Sequence, residues 1–474
     1  MKGAMAAFFH AYENSILVYL LILNTIYFIL VLVGYLELIR YRYINQDSEH
    51  LGSIETSSLL PPISVLAPAF NESATIRESV RAMLNLRYPE FEVIVINDGS
   101  KDEMLRVLIE EFHLYKSARY FDTPLKTAPM RAVYESMDPI RLVVIDKENG
   151  GKADSLNAGI NVAHYPLFCA VDADSILEED SLLKVVTPFL ETPGQVLASG
   201  GIVRIANGCS ISRGKIENID LPRSWIARFQ VVEYLRAFLG GRVAFSSFNC
   251  LMIISGAFGL FQKAAVLAVG GYSTETVGED MELIVRLQHW ARSEKKKKRV
   301  VFQPDPVCWT EVPESLKVLK RQRRRWQRGT IESLWAHREM FGRPRFGILG
   351  LFAFPYFVFF EMLGPIVEMT GYLITIIGLF LGFFGLREAI LFFCAAVLYG
   401  MILSTASVVL EELTMRRYPK VRNLLNLVVA GILENFGFRQ LLGFWRAYAF
   451  VEVFRGNKSW GNMERKGFQG TVAS

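Results

Sequence analysis

The chain is short of several things, and each shortage removes a class of protein. Its five cysteines (Cys169, Cys209, Cys250, Cys308 and Cys394) make no Cys-x-x-Cys pair and no metal-binding spacing. That excludes a disulfide framework and a zinc site, and suits reduced thiols in a cytosol-facing or membrane protein. No Gly-x-x-x-x-Gly-Lys-Ser/Thr occurs, so there is no P-loop. No Gly-x-Gly-x-x-Gly follows an apolar run either, so a dinucleotide fold has no support. Charged residues are 21% of the chain against 51% hydrophobic, and the mean hydropathy is +0.25. That balance is too apolar for an ordinary soluble enzyme and points to a membrane. The net charge of +5 is modest, so the placement of the cations matters more than their number.

What is present begins with an apolar run over 15–36, about 22 residues or about 33 Å of helix, enough to cross a bilayer. No small-residue cleavage site marks it as a signal peptide. Arg40 and Arg42 follow it, against Lys2 and Glu13 before it, which places the next region in the cytoplasm. A first helix over 1–43 and a polar linker over 44–60 therefore lead into a soluble α/β region over 61–345. Strands are expected at 63–67, 91–96, 140–145 and 168–171. Helices are expected from Asn71-Glu72-Ser73, with Ser73 as cap, and over 105–112 and 156–163. The alternation predicts a mostly parallel sheet with helices on both faces.

Each strand delivers polar residues at its carboxyl end: Asn71 and Glu72, then Asp98, then 147–152, then Asp172 and Asp174. Ligands of open α/β sheets sit outside those ends, so four in series describe a nucleotide crevice. Asp172 and Asp174 flank only Ala173, and two close carboxylates repel unless a cation sits between them. A divalent ion on a diphosphate fits, because Mg²⁺ is usually held by one or two carboxylates plus substrate phosphates. Gly150-Gly151-Lys152 lets backbone approach phosphate and adds a point charge. Lys147 reads equally well as a solvated surface charge.

Further on, 221–245 reads as an amphipathic helix suited to a membrane surface or, nearly as well, to a buried core. Phe229, Val232, Leu235 and Phe238 share one face, with Arg228, Glu233, Arg236 and Arg242 opposed. Small residues at Ser255-Gly256-Ala257 would let an acceptor chain pass close to the backbone. Gly278-Glu279-Asp280 opens a helix, where carboxylates offset the dipole or act as a general base. The cations at 295–299 read as a solvated loop. The basic block 321–328 with Trp326 offers charge to a diphosphate leaving group and an indole face to a sugar ring. Nucleic acid is not expected, because no other signature for it occurs. From 346 the chain is apolar again, with an interfacial or broken helix, a span over 367–386 and another over 390–410. Arg416, Arg417, Lys420 and Arg422 then mark a cytoplasmic side. The stretch 424–454 carries Glu434, Arg439 and Arg446, which face a bundle interior or aqueous cavity. The membrane region is thus 346–456, with a cytosolic tail over 457–474.

Six motifs stand in order: Pro68-Ala69-Phe70-Asn71-Glu72, Asn97-Asp98-Gly99-Ser100, Asn149-Gly150-Gly151-Lys152, Asp172-Ala173-Asp174, Gly278-Glu279-Asp280 and Gln322-Arg323-Arg324-Arg325-Trp326. Together they resemble the processive membrane glycosyltransferases of family 2, the group of bacterial cellulose, hyaluronan and poly-N-acetylglucosamine synthases. The resemblance implies an α/β GT-A-type nucleotide-diphospho-sugar transferase domain in the cytosol, flanked by transmembrane helices. It implies Asp98 at the uridine, Phe70 near the base, Glu72 among the donor-binding residues, Lys152 near the phosphates, Asp172 on the nucleotide sugar, and Asp174 ligating Mg²⁺ or Mn²⁺. Asp280 would be the base with Glu279 beside it. Gln322, Arg325 and Trp326 would form the acceptor and diphosphate platform, and Ser255 and Gly256 would face the acceptor sugar.

The activity so implied is inverting transfer from a UDP-sugar to a growing β-linked polysaccharide at the cytosolic face of the inner (cell) membrane, with translocation across the bilayer. An accessory subunit of a synthase or export complex is a further partner it allows. Two readings compete: a non-processive transferase placing one sugar on a lipid acceptor, and a catalytically dead scaffold of an export complex. Phe70 replaces a frequent tyrosine and so lacks its hydroxyl. Gly278 replaces the threonine common in cellulose-type enzymes, so the motif does not specify the polymer. No cyclic-dinucleotide-binding domain follows the last helices in this sequence, so regulation of the cellulose type is not expected.

Overall fold

The computed structural model describes residues 2–44, 59–118, 121–137, 141–212, 214–418 and 420–455. Most of the expected linker and the whole expected tail lie outside them. The strands are β1 (Ile63–Ala69), β2 (Phe91–Asp98), β3 (Tyr115–Lys116), β4 (Met130–Glu135), β5 (Leu142–Lys147) and β6 (Leu167–Val171). They continue as β7 (Ser175–Leu177), β8 (Val196–Ile205), β9 (Ser210–Ser212), β10 (Lys215–Asn218), β11 (Phe258–Gln262) and β12 (Arg299–Thr310). Ten of them form one sheet in the order β3-β4-β5-β2-β1-β6-β11-β8-β12-β7.

The centre, β5-β2-β1-β6, is parallel. Its strands are covered on both faces, which is why Val93, Ile94, Val95 and Ile96 run without a polar break and are fully buried. The four expected strand ends are therefore neighbours in space. The sheet as a whole is mixed, however, which corrects the mostly parallel expectation. β11 runs antiparallel to both β6 and β8, β4 antiparallel to β5, and β7 antiparallel to β12. The chain re-enters at β11 from the end where β6 leaves, with Phe258 paired to Val171. That reversal sets Ser255-Gly256-Ala257 beside Asp172.

Two helix starts differ from expectation. Asn71 is left-handed (φ 56°), and the amides of Thr75 and Ile76 bond to Glu72 O at 3.0 and 2.9 Å, so the helix begins at Ile76 and Ser73 caps nothing. The Ser73 amide instead donates to Asp102 Oδ2 (2.9 Å). The next difference is the helix Lys152–Val162, which starts before the expected 156 because Gly151 takes φ +88° and turns the chain directly into it.

The first helix, Lys2–Ile44, is longer than its apolar centre. Among the described residues, Ala4–Tyr43 and Leu386–Thr414 are long and apolar enough to cross a membrane. Two bent pairs, Leu349–Met362 with Gly364–Phe380 (43°) and Val421–Leu433 with Phe438–Phe454 (56°), bring the number to as many as four. The expected span at 367–386 is thus shifted towards the N-terminus, ending at Phe380, and Leu386 opens the next helix. Arg204 on β8 ties the sheet to the helix Tyr399–Thr414: its two terminal nitrogens each meet one oxygen of buried Glu411 at 2.9 Å.

Over 221–245 the chain forms Trp225–Leu235, a π-helical turn Arg236–Arg242, and Val243–Ser247. Gly34 of the first helix packs on this turn, since a Cβ there would lie 2.6 Å from Leu239 O. The polar face is directed inward: Glu233, Arg236 and Arg242 line the central cavity.

Candidate active site

Asp98 and Lys147 end adjacent strands in register. Lys147 is fully buried, with Nζ 2.7 Å from Asp98 Oδ1 and 2.6 Å from Asp154 Oδ1, so it is not the solvated charge that its sequence equally allowed. Asp98 also accepts the amides of Gly150 (2.9 Å) and Gly151 (2.8 Å), and Asn149 Nδ2 donates to Asp98 O at 2.8 Å. A buried acid–base–acid row therefore fixes the shape of the Gly-Gly loop. Charge-assisted bonds of this kind are the strong ones.

Lys152, at the start of its helix, joins the two halves of the site. Its ammonium bonds Asp172 Oδ1, donates to Gly256 O (3.2 Å) and lies 3.7 Å from Glu279 Oε1. Burial works against its charge, but Asp172, Glu279 and Asp280 outweigh burial and raise its pKa. Across from it the helix Glu279–Ser293 opens on the two expected carboxylates. Asp280 is held by backbone, accepting the Gly256 amide at 3.0 Å and the Met281 amide at 2.8 Å. Burial lifts the Glu279 carboxyl above its usual range; Asp280 adds to this, and Lys152 and Arg325 oppose it.

The basic block lies on the helix Leu316–Ala336 and divides its labour. Arg323 pairs with Glu233 (2.7 Å), Arg324 with Glu452 (2.7 Å) and Arg328 with Glu332 (2.6 Å). Arg323 and Arg324 brace neighbouring elements and Arg328 pairs within its own helix, so the block does not present its whole charge to one ligand. Gln322, Arg325 and Trp326 line the cavity, Trp326 with 40% of its surface exposed and the Arg323 guanidinium 4.3 Å from its ring.

Gly278 has a geometric reason to be glycine. A Cβ there would sit 2.7 Å from the Gly329 Cα, so the Asp280 helix and the Trp326 helix touch backbone to backbone. Gly278→Thr is expected to push them apart, costing about 1–3 kcal/mol of stability. Thermal unfolding of the variant beside the wild type reads this.

All the expected site residues line one cavity of 2520 Å³: Phe70, Glu72, Asp98, Lys152, Asp172, Asp174, Ser255, Gly256, Glu279, Asp280, Gln322, Arg325 and Trp326. That exceeds the roughly 300–1,000 Å³ of an ordinary small-ligand site and leaves room for two substrates. The cavity continues past Tyr27, Glu361, Glu368, Glu434, Arg439 and Arg446 on the apolar helices. Those carboxylates are paired: Arg446 with Glu361 (3.4 Å), Arg439 with Glu368 (3.5 Å) and Arg236 with Glu434 (2.6 Å). Sequence reading missed Asp154, Tyr234 and Arg242 in or behind this cavity. Only Arg242 carried a signal, as part of the polar face of 221–245.

Among the described residues no three His, Cys, Asp or Glu side chains gather as a metal cage. Asp172 and Asp174 offer hard oxygen donors of the kind Mg²⁺ and Mn²⁺ take, a set that substrate phosphates complete.

A mixed, GT-A-like sheet thus holds this row of carboxylates and cations between its strand ends and the reversed neighbour. The chain belongs to glycosyl transferase family group 2, which matches residues 167–403; the pattern of glycosyl transferase family 2 matches 64–253. It is 30% identical over 272 residues to the poly-beta-1,6-N-acetyl-D-glucosamine synthase of Staphylococcus epidermidis, covering 57% of this chain and 55% of that protein. Against the synthase of that name from Staphylococcus aureus (strain COL) it is 32% identical over 278 residues, covering 58% and 56%. The chain thus spans about half the length of the curated relatives it matches. A solved mannosyltransferase from Pyrobaculum calidifontis, in complex with GDP-mannose and Mn²⁺, aligns over 88% of this chain and 99% of its own at 17% identity and a TM-score of 0.47.

Proposed function

We propose that the protein transfers N-acetylglucosamine from UDP-N-acetylglucosamine to a growing β-linked polysaccharide and passes the product between its apolar helices. One observation carries this reading: the cavity that holds Asp172, Asp280 and Trp326 continues unbroken along Glu361, Glu368 and Arg439. The names of the relatives supply the sugar. In this reading the protein sits in the cell membrane by several spans, with the sheet on the cytoplasmic side, as Arg40, Arg42, Arg416 and Arg417 at helix ends support. The boundaries stay at 1–43, 61–345 and 346–456.

The donor lies over the strand ends. Asp98 acts by holding the Gly-Gly loop against the nucleotide, Phe70 and Glu72 border the base, and Lys152 and Asp172 meet the diphosphate and sugar. Asp174 would hold Mg²⁺ or Mn²⁺, which offsets diphosphate charge when bound. Trp326 and Gln322 support the acceptor sugar, with Ser255 and Gly256 alongside. Asp280 takes the proton of the acceptor hydroxyl, whose oxygen attacks the anomeric carbon from the side opposite the diphosphate. The bond from that carbon to the diphosphate breaks, the configuration inverts, and UDP leaves against the positive charge of Arg325 and Lys152.

The test is UDP release by the purified protein with Mg²⁺ and, in turn, UDP-N-acetylglucosamine, UDP-glucose and UDP-glucuronate. Release is expected to be fastest, by about tenfold or more, from the first, since a site that pairs with a substrate amide discriminates strongly against analogues lacking it. Equal or faster release from UDP-glucose contradicts the sugar assignment, and release from none contradicts the reading.

A further inference from the structure

Three charged side chains of the 225–242 stretch enter the cavity, and two are already matched. Glu233 meets Arg323 at 2.7 Å, and Arg236 meets Glu434 and Ser404 at 2.6 Å each. Arg242 is different. Its guanidinium lies 3.8 Å from the Phe238 ring centroid, and its Nη1 is closed off from solvent with no hydrogen-bond partner among the described residues. No carboxylate among them lies within ion-pair distance of it, and the carboxylate whose charge acts on it is Asp280. Burial lowers its pKa to about 10, even with Asp280 and Tyr234 opposing that.

An unmatched cation in a cavity is costly unless something else accepts its hydrogen bonds. The local backbone is built to hold it there. The π-helical turn Arg236–Arg242 places Gly240 against Val31 of the first helix, while Gly241 has nothing within 4 Å of where its Cβ would be and opens on the cavity. Inserted turns of this kind are frequent at functional sites. Lys152 is already engaged by Asp172 and Glu279, whereas Arg242 belongs to the turn that packs on the first helix.

We infer that Arg242 is an acceptor-positioning residue: its guanidinium, stacked on Phe238, donates to hydroxyl or amide-carbonyl oxygens of the acceptor sugar and aligns the attacking hydroxyl with Asp280. The ligand class is a neutral, oxygen-rich saccharide, read by the planar fork and not by charge alone. This rests on the transferase reading above.

The experiment uses the full-length protein in nanodiscs with UDP-N-acetylglucosamine, Mg²⁺ and a β-1,6-linked N-acetylglucosamine oligosaccharide as added acceptor. UDP release is measured against acceptor concentration for wild type, Arg242→Gln and Arg242→Lys. Arg242→Gln is expected to raise the acceptor KM about ten- to hundredfold, the range of a lost hydrogen bond to a charged donor. Arg242→Lys should restore only part of it. The donor KM, the UDP dissociation constant and the pH profile should stay as in wild type. An unchanged acceptor KM overturns the inference, as does a parallel loss of UDP affinity, which marks a structural role. A shifted acid limb of the pH profile also overturns it, since Arg242 would then act on Asp280 and not on the acceptor. Wild type that releases no UDP from any UDP-sugar overturns the functional reading and this inference with it, whereas wild-type turnover with equal KM in all three proteins overturns the inference alone.

Discussion

Asp280→Asn is expected to lower UDP release by about 10²- to 10⁴-fold, the usual worth of a positioned general base. Asparagine keeps the shape of the side chain, and its carbonyl oxygen can still accept the Gly256 amide now bonded at 3.0 Å. What it loses is the ability to take a proton, together with the second acceptor oxygen, which now meets the Met281 amide at 2.8 Å. UDP affinity should therefore stay near wild type, because the loop fixed by Asp98 and Lys147 does not involve this carboxylate. Release and UDP titration on the same preparation separate the two effects. Near-normal release from Asp280→Asn would remove the base assignment and direct attention to Glu279, whose carboxyl burial holds closer to the protonated form.

Lys147→Met is expected to be the most destabilising single change in the sheet, by about 3–5 kcal/mol, as when one partner of a buried charge set is removed. Asp98 and Asp154 would be left facing each other without the cation that sits 2.7 and 2.6 Å from them. The Gly150 and Gly151 amides depend on the same Asp98 carboxylate, so nucleotide binding should fail together with stability. Thermal unfolding in detergent with and without UDP checks this. Neutralising both acids in the Lys147→Met background should recover much of the loss, because the penalty lies in the unpaired charges. Lys126→Met, at an exposed position, is the control and should change stability by less than about 0.5 kcal/mol.

The contrast between these two lysine positions shows what a sequence can carry. Hydrophobic runs marked β1, β2, β5 and β6 because strands buried on both faces have no polar alternative to show. Their polar ends marked the crevice for the same reason, and all the site residues taken from the motifs meet in one cavity. Direction was harder. Nothing in Phe258–Gln262 says that it enters the sheet against its neighbours, since an apolar run reads alike both ways. Partners were harder still: Lys147 and Asp98 are 49 residues apart, and only the register of β2 on β5 brings them together. The dense arginine block looked like a single anionic subsite, because the acids that take up Arg323 and Arg324, Glu233 and Glu452, lie far away in the chain. Gly278 looked like a departure from a motif until Gly329 was found against it.

The size of the product tests the central claim most directly. Purified protein in proteoliposomes, given UDP-N-acetylglucosamine labelled in the sugar and Mg²⁺, should yield a long labelled polymer. That polymer should be cut by an enzyme specific for β-linked N-acetylglucosamine and should lie on the side of the bilayer opposite the added nucleotide. A single labelled sugar on an extractable lipid, with no material of higher mass, would contradict it and make the cavity a site for one transfer.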